Sequence, residues 1–192
     1  TYVTLSPCTS YGRQPPCAAD LIKAGVARVL VAAPDPNPGN AAGPDVLNTA
    51  GMPTAAGLLR DEADYLARGS SNRRRFGLPH LTLKYAMTLD GKIAAASGDS
   101  RWVSGEKSRE LVQDMRSRFD AIMIGSGTAI SDDPLLTVRG TALASRGGPE
   151  RHPQPLRVVA DSACRMPPTA AMFNPANDPG GQVIVACVRG VN

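Results

Sequence analysis

Residues 15–33, PPCAADLIKAGVARVLVAA, carry the clearest fold signal in the chain. Two prolines precede a helix-prone stretch and Gly25 follows it, which is the order that helix starts and ends prefer. The apolar run Val26–Ala33 then predicts a strand, and the β-prone residues Tyr2–Leu5 predict another strand before the helix. This alternation of strand, helix and strand favours an α/β layer fold.

The alternation continues towards the C-terminus. We predict a short helix over Asp45–Ala50, a short strand over Thr54–Leu59 and a helix from Arg60 to about Leu66. Residues 69–77, GSSNRRRFG, combine small polar residues with an arginine triplet and predict a linker. The arginine triplet is explained either as a solvated linker face or as a phosphate contact.

A second unit is predicted to start near Leu78. Its expected turn is Asp90-Gly91, and its helix starts at Ser104 as N-cap and buries Val112, Met115 and Phe119 on one face. Four strands are predicted in this unit: His80–Met87, Ala121–Ile124 (buried), Leu156–Ala160 and Val183–Val188.

Composition sets the class of protein. The chain has 192 residues, of which 42% are hydrophobic, and a net charge of +4, which is ordinary for a globular protein. The charge suits a phosphate-bearing small molecule, although a chance surface excess explains it equally well. No apolar run reaches the roughly 18 residues that span a membrane, and the arginine triplet lacks the interleaved aromatic residues of nucleic-acid binders. We therefore expect neither a membrane nor a nucleic-acid partner.

Two cysteines stand in a setting that is typical of metal ligands. Cys8 follows a predicted strand, and Cys17 lies in the first turn of a predicted helix, where thiolates are stabilised. Zinc deaminases use two such cysteines with a histidine and a nearby glutamate. Neither His80 nor His152 is followed by x-Glu, so the pair leaves two interpretations open. Either the remaining ligand precedes Thr1, or the cysteines are structural.

Motifs in a fixed order resemble one enzyme family. The first set surrounds the cysteines: Pro7-Cys8, Tyr11-Gly12-Arg13, Pro15-Pro16-Cys17 and Asp35-Pro36-Asn37-Pro38. The second set lies in the second unit: residues 84–92 (KYAMTLDGK), 97–102 (SGDSRW), 125–128 (GSGT) and 132–139 (DDPLLTVR). Together they resemble the bifunctional riboflavin-biosynthesis deaminase–reductases, the RibD family.

The resemblance implies an α/β chain with two incomplete domains. Residues 1–68 would be the C-terminal part of a cytidine-deaminase-like zinc domain, 69–77 a linker, and 78–192 the N-terminal part of a dihydrofolate-reductase-like domain. The family's zinc histidine and catalytic glutamate would precede Thr1, and its later glycine-rich cofactor segment would follow the chain. The implied metal ligands are Cys8 and Cys17.

The implied activity has two steps. A phosphoribosylated diaminopyrimidinone is deaminated with Zn²⁺, and its ribosyl group is then reduced to ribityl with NADPH. By position, the residues that match NADP contacts are Ala86, Trp102, Thr128, Asp132 and Ser162. Those that match substrate contacts are Ser100, Arg116, Leu135 and Arg139. Asp132 is the candidate catalytic group, and the full-length protein is expected to be a cytoplasmic homo-oligomer.

Two residues depart from the family pattern. Ser6 stands where the family usually has glutamate, and Ser10 where it often has histidine, both beside Cys8. Loss of these groups would weaken substrate binding or the support of the metal. The alternative interpretation is therefore a reductase whose deaminase domain is catalytically degenerate and serves as a structural partner.

Overall fold

The computed structural model describes residues 1–12, 14–100, 103–139, 154–177 and 181–190. These residues belong to two compact units, Thr1–Lys84 and Tyr85–Asn192, each with a three-stranded parallel sheet. The predicted α/β class is therefore confirmed, and the parallel pairing is an observation of the structure. Within the described ranges, no helix is both long and apolar enough to cross a membrane.

The first unit alternates strands with helices. Its elements are β1 (Tyr2–Leu5), α1 (Cys17–Lys23), β2 (Val29–Ala33), α2 (Gly43–Thr49), β3 (Thr54–Ala56) and α3 (Arg60–Phe76). Strand β2 lies between β1 and β3, so its inward side chains, Val29 and Val31, are completely buried. Ala18 of α1 and Leu47 of α2 pack on them and form the core of this unit.

The second unit contains the remaining elements. They are α4 (Glu106–Ser117), β4 (Ala121–Gly125), α5 (Ser126–Asp132), β5 (Leu156–Ala160) and β6 (Val183–Ala186). The sheet order is β4-β5-β6, and all pairs are parallel, so the carboxyl ends of the strands share one edge. Val159 of β5 packs with Ala129 of α5 and Met172 in the core of this unit.

The predicted end of the third helix near Leu66 is wrong, because α3 continues to Phe76. Arg68 lies 3.8 Å from the centroid of the Tyr65 ring, and Gly77 ends the helix in a left-handed conformation with a φ of 70°. The glycine and arginine residues that predicted a linker are thus a helix end and its cap. The assignment of 69–77 as a domain linker stays a prediction, and the border between the compact units follows Lys84.

The predicted strand His80–Met87 is absent from the structure, although the segment is described throughout. A strand needs a neighbour for its backbone hydrogen bonds, and no described strand pairs with these residues. Consistent with this, Leu81 and Leu83 are 79% and 88% exposed. The turn predicted at Asp90-Gly91 is confirmed, since Gly91 has a φ of 79° and its N–H donates to Thr88.

In the second unit, strand β4 and the apolar face of α4 are less buried than the sequence predicted. Strand β4 alternates, with Ile122 and Ile124 half-buried but Met123 64% exposed, because α5 packs on one face of it. The N-cap of α4 is Gly105 and not the predicted Ser104. The predicted apolar face, Val112, Met115 and Phe119, is only half-buried.

Candidate active site

The segment between α5 and the last predicted substrate residue has no regular secondary structure, and its centre, residues 136–138, is buried. We call residues 133–139 the substrate loop, because it carries Leu135 and Arg139. Thr137 and Val138 are 6% and 3% exposed, and Leu136 adopts a left-handed φ of 56°. Such a backbone persists only where its surroundings fix it.

The substrate loop brings two predicted substrate residues together. Arg116 on α4 donates from Nη1 to the carbonyl oxygen of Thr137 at 2.9 Å. Burial lowers the pKa of the Arg116 guanidinium, and the charge of Arg139 lowers it further. In the described part of the chain neither arginine forms an ion pair with a carboxylate. Two cations that influence each other and lack an acidic partner among the described residues favour an anionic ligand.

Predicted cofactor residues lie beyond the carboxyl ends of adjacent strands. Thr128 is in the first turn of α5, which follows β4, and Ser162 comes two residues after β5 ends. Both are exposed. Ligands of open parallel α/β sheets commonly bind at this edge, so these positions are consistent with the predicted cofactor contacts.

The glycines before Thr128 leave space at this edge. A side-chain carbon built at Gly125 or Gly127 would meet no atom within 4 Å, and neither residue has a positive φ. The fold therefore does not require glycine at either position. Glycine instead leaves the backbone accessible to a closely bound group, which is the arrangement that the cofactor interpretation needs.

A buried carboxylate supports the same edge. Asp161 is completely buried after β5, and it accepts a hydrogen bond from Met166 N–H at 2.8 Å. Burial alone raises the pKa of Asp161, but the Met166 hydrogen bond, the nearby Ser126 hydroxyl and the backbone and charge of Arg165 outweigh it, so the pKa is lower than usual. Arg165 also donates to the hydroxyl of Ser126 at 2.7 Å. This group links the end of β4 to the end of β5.

The other predicted residues of this unit are less closely connected. Asp132 is exposed at the end of α5, next to the substrate loop. Ala86 and Ser100 lie outside helices and strands, and no hydrogen bond in the described residues joins either to another predicted site residue. Trp102 lies outside the described residues.

The predicted metal ligands of the first unit are adjacent. The backbone N–H of Cys17, at the start of α1, donates to Cys8 Sγ at 3.2 Å. The pKa of Cys17 is raised, first by its hydrogen bond with the Cys8 side chain and then by partial burial. Over the described residues, no cluster unites three or more His, Cys, Asp or Glu side chains as metal ligands. The pair therefore fits two positions of a tetrahedral zinc site and leaves two for groups from elsewhere.

Comparison with known proteins agrees with these observations. Residues 79–186, more than half of the chain, match the model of the RibD C-terminal domain. The chain belongs to the RibD family. It is 45% identical over 177 residues to the riboflavin biosynthesis protein RibD of Haemophilus influenzae, covering 90% of this chain and 48% of that protein.

Two solved structures of RibD-family proteins are also similar. RibD of Acinetobacter baumannii has a TM-score of 0.81 at 41% identity, covering 97% of this chain and 51% of that one. The Thermotoga maritima diaminohydroxyphosphoribosylaminopyrimidine deaminase/5-amino-6-(5-phosphoribosylamino)uracil reductase has a TM-score of 0.83 at 31% identity, covering 100% and 51%. The chain thus spans about half the length of the relatives it matches. The cytidine-deaminase-like assignment of the first unit stays a prediction.

Sequence reasoning missed the residues that support this RibD-family site. Arg157 offered a signal, because it is a lone charge in the apolar strand LRVVA, a position where a charged residue must be satisfied internally. Asp161, directly after that strand, offered another. Gln113 and Gln154 offered none, since their bonds to the substrate loop join residues 26 and 16 positions apart.

Proposed function

We propose that the protein carrying this chain uses NADPH to reduce the ribosyl group of a phosphoribosylaminopyrimidine to ribityl, as a step of riboflavin biosynthesis. The observation that carries the proposal is the hydrogen bond from Arg116 to Thr137 in the loop that also carries Arg139, in a chain that matches the RibD C-terminal domain. A phosphate dianion between the two guanidinium groups would relieve their repulsion and form charge-assisted hydrogen bonds.

The residues proposed to hold NADPH are the sequence matches Ala86, Trp102, Thr128, Asp132 and Ser162. The exposed hydroxyls of Thr128 and Ser162, and the open backbone at Gly125 and Gly127, support this assignment. NADPH supplies the hydride, and the chain supplies binding, orientation and electrostatics.

The reaction balances with one hydride and one proton. In the proposed reduction, C1′ of the ribosyl group would gain the hydride as its bond to the ring oxygen opens, and that oxygen would take up the proton as a hydroxyl. We assign Asp132 as the residue that orients this proton transfer, because it is exposed where α5 meets the substrate loop.

The test is NADPH oxidation by the protein as its gene encodes it. We expect loss of NADPH absorbance with 5-amino-6-(5-phosphoribosylamino)uracil, and a rate at least ~10-fold lower at equal concentration with the same compound lacking the phosphate. Absence of NADPH oxidation with the phosphorylated compound would contradict the proposal.

We further propose that the first unit belongs to a zinc deaminase domain that acts on the diaminopyrimidinone precursor. Its support is the pair of sulfurs at the start of α1, where Cys8 already accepts a backbone N–H bond. When bound, zinc would supply an activated water for the deamination.

One observation favours the alternative of a degenerate deaminase domain. The hydroxyl of Ser10 donates to Asn40 Oδ1 at 2.9 Å, and Asn40 in turn donates to Asp35 Oδ2 at 2.8 Å. Ser10 thus ties the cysteine loop to the Asp35–Pro38 loop through bonds within the protein. A structural role for Ser10 in place of the family's histidine fits a domain that has kept its fold but lost turnover.

Zinc content and deamination separate these two interpretations. We expect about one zinc per chain in the unmodified protein and its loss in C17S. C164S is the matched control, because Cys164 is also exposed and lies outside the pair. Zinc with deamination supports the active domain, whereas zinc without deamination supports the degenerate one. Equal zinc content in C17S and C164S would contradict the assignment of Cys17 as a ligand.

A further inference from the structure

Arg157 is a completely internal arginine in the middle strand of the second sheet. It lies in β5, and only 1% of its surface is exposed. Its Nη1 donates to the carbonyl oxygen of Leu135 at 3.2 Å and to that of Met172 at 3.2 Å. The guanidinium therefore joins the substrate loop to the short 3₁₀ helix Ala171–Phe173.

A direct hydrogen bond also joins the substrate loop to the 3₁₀ helix. Asp133, the first residue of the substrate loop, accepts a hydrogen bond at Oδ1 from the Ala171 N–H at 2.8 Å. The 3₁₀ helix thus contacts the loop directly at Asp133 and through Arg157 at Leu135. Because both Arg157 acceptors are backbone carbonyls, the arginine fixes the course of the chain irrespective of the side chains on the loop.

The rest of the substrate loop is held in the same way. Gln154 accepts from the Val138 N–H at 2.7 Å and donates to the Val138 carbonyl at 3.2 Å. Gln113 accepts from the Arg139 N–H at 3.1 Å. Every backbone group in these bonds is satisfied by a side chain from another segment, so the loop is positioned without secondary structure of its own.

The buried charge of Arg157 is not explained by packing. Burying a guanidinium costs desolvation free energy, and an apolar residue of similar volume commonly serves a core at least as well. Arg157 lies among apolar neighbours in β5, so packing alone does not require a charge there. An apolar residue would leave the Leu135 and Met172 carbonyls without the two hydrogen bonds that Nη1 of Arg157 donates to them.

We propose that Arg157 is a positioning residue for substrate binding. By fixing the Leu135 carbonyl it sets the path of the substrate loop, and so the place from which Arg139 reaches the substrate phosphate. The inference rests on the proposed function for the identity of the ligand. Its structural part, the control of loop order by Arg157, does not depend on any ligand.

The test compares R157M and R157K with the control R118M in the protein as its gene encodes it. Arg118 is an exposed arginine of the same unit that pairs with Asp114 at 2.7 Å. Hydrogen–deuterium exchange is measured at the Val138 and Arg139 amides. We expect exchange at both to accelerate about 10-fold or more in R157M, less in R157K, and not in R118M, with helix α4 unchanged in all three.

Kinetics supply the second readout. In R157M we expect KM for the phosphorylated substrate to rise about 10-fold, with KM for NADPH within about two-fold of the unmodified protein and partial rescue in R157K. Equal losses for both ligands, or acceleration of exchange throughout the second unit, would assign Arg157 to general stability and overturn the proposal.

A second variant covers the case in which R157M does not fold. Q113L removes the acceptor of the Arg139 N–H from the half-buried surface of α4. Q113L is expected to accelerate exchange at Arg139 and to raise KM for the substrate but not for NADPH. The exchange rate at Arg139 and the substrate KM of R157K must then lie between those of R118M and Q113L. Failure of the unmodified protein to oxidise NADPH would contradict the proposed function. The exchange rates would still show whether Arg157 orders the substrate loop.

Discussion

Replacing Arg139 with methionine is expected to raise KM for the phosphorylated substrate by about 10- to 100-fold, the range for losing one charge-assisted hydrogen bond. Arg116 contacts the loop that carries Arg139, and its pKa is lowered first by burial and then by the Arg139 charge. Neither has a carboxylate partner in the described part of the chain. The substrate phosphate is the anion that would balance this pair, so removing one cation should act on substrate binding.

Two comparisons sharpen this result. R139K keeps the charge but loses the planar fork, so its KM is expected between those of the unmodified protein and R139M. R118M removes an exposed arginine that is already paired with Asp114 and should change KM by less than about two-fold. An R139M variant that loses NADPH affinity while keeping its substrate KM would show that Arg139 contacts the cofactor.

Replacing Gly43 with alanine is expected to destabilise the first unit by about 3 kcal/mol or more, at the upper end of overpacking effects. Gly43 is buried at the start of α2. A side-chain carbon there would overlap the carbonyl oxygen of Pro7 and lie 3.2 Å from its carbonyl carbon. Both obstacles are backbone, so the clash can be relieved only by moving α2 or the segment that leads to Cys8.

Denaturant unfolding of the protein as its gene encodes it measures this effect. The matched control is G69A, because Gly69 lies within α3 and a side-chain carbon there meets nothing within 4 Å. G69A is expected to stabilise the protein by about 0.5–1 kcal/mol through the helix preference of alanine. Equal midpoints for G43A and G69A would show that α2 does not approach Pro7 as closely as described.

Local rules predicted the elements of the first unit well. Pro15, Pro16 and Gly25 mark the helix between two strands, and α1 lies between them as expected. The same rules misjudged α3, because Gly77 resembles a linker residue in sequence but is a helix cap in the structure. Periodicity predicted a strand at His80–Met87, yet a strand exists only where another strand offers a partner.

The candidate site was predicted less completely than the fold. The family resemblance gave Arg116 and Arg139 by position, and in the structure Arg116 donates to Thr137, two residues before Arg139. It could not give the path of residues 133–139, because that path depends on Arg157 and Gln154, which contact the loop from segments 16 to 22 positions away. Such side-chain to backbone bonds leave no periodic trace in a sequence.

The fate of the hydride tests the central claim most directly. The protein as its gene encodes it would be supplied with NADPH carrying deuterium at the transferable position of C4, together with the phosphoribosylaminopyrimidine. We expect one deuterium at C1′ of the ribityl product for each NADPH oxidised. NADPH oxidation without deuterium at C1′, or no oxidation at all, would contradict it.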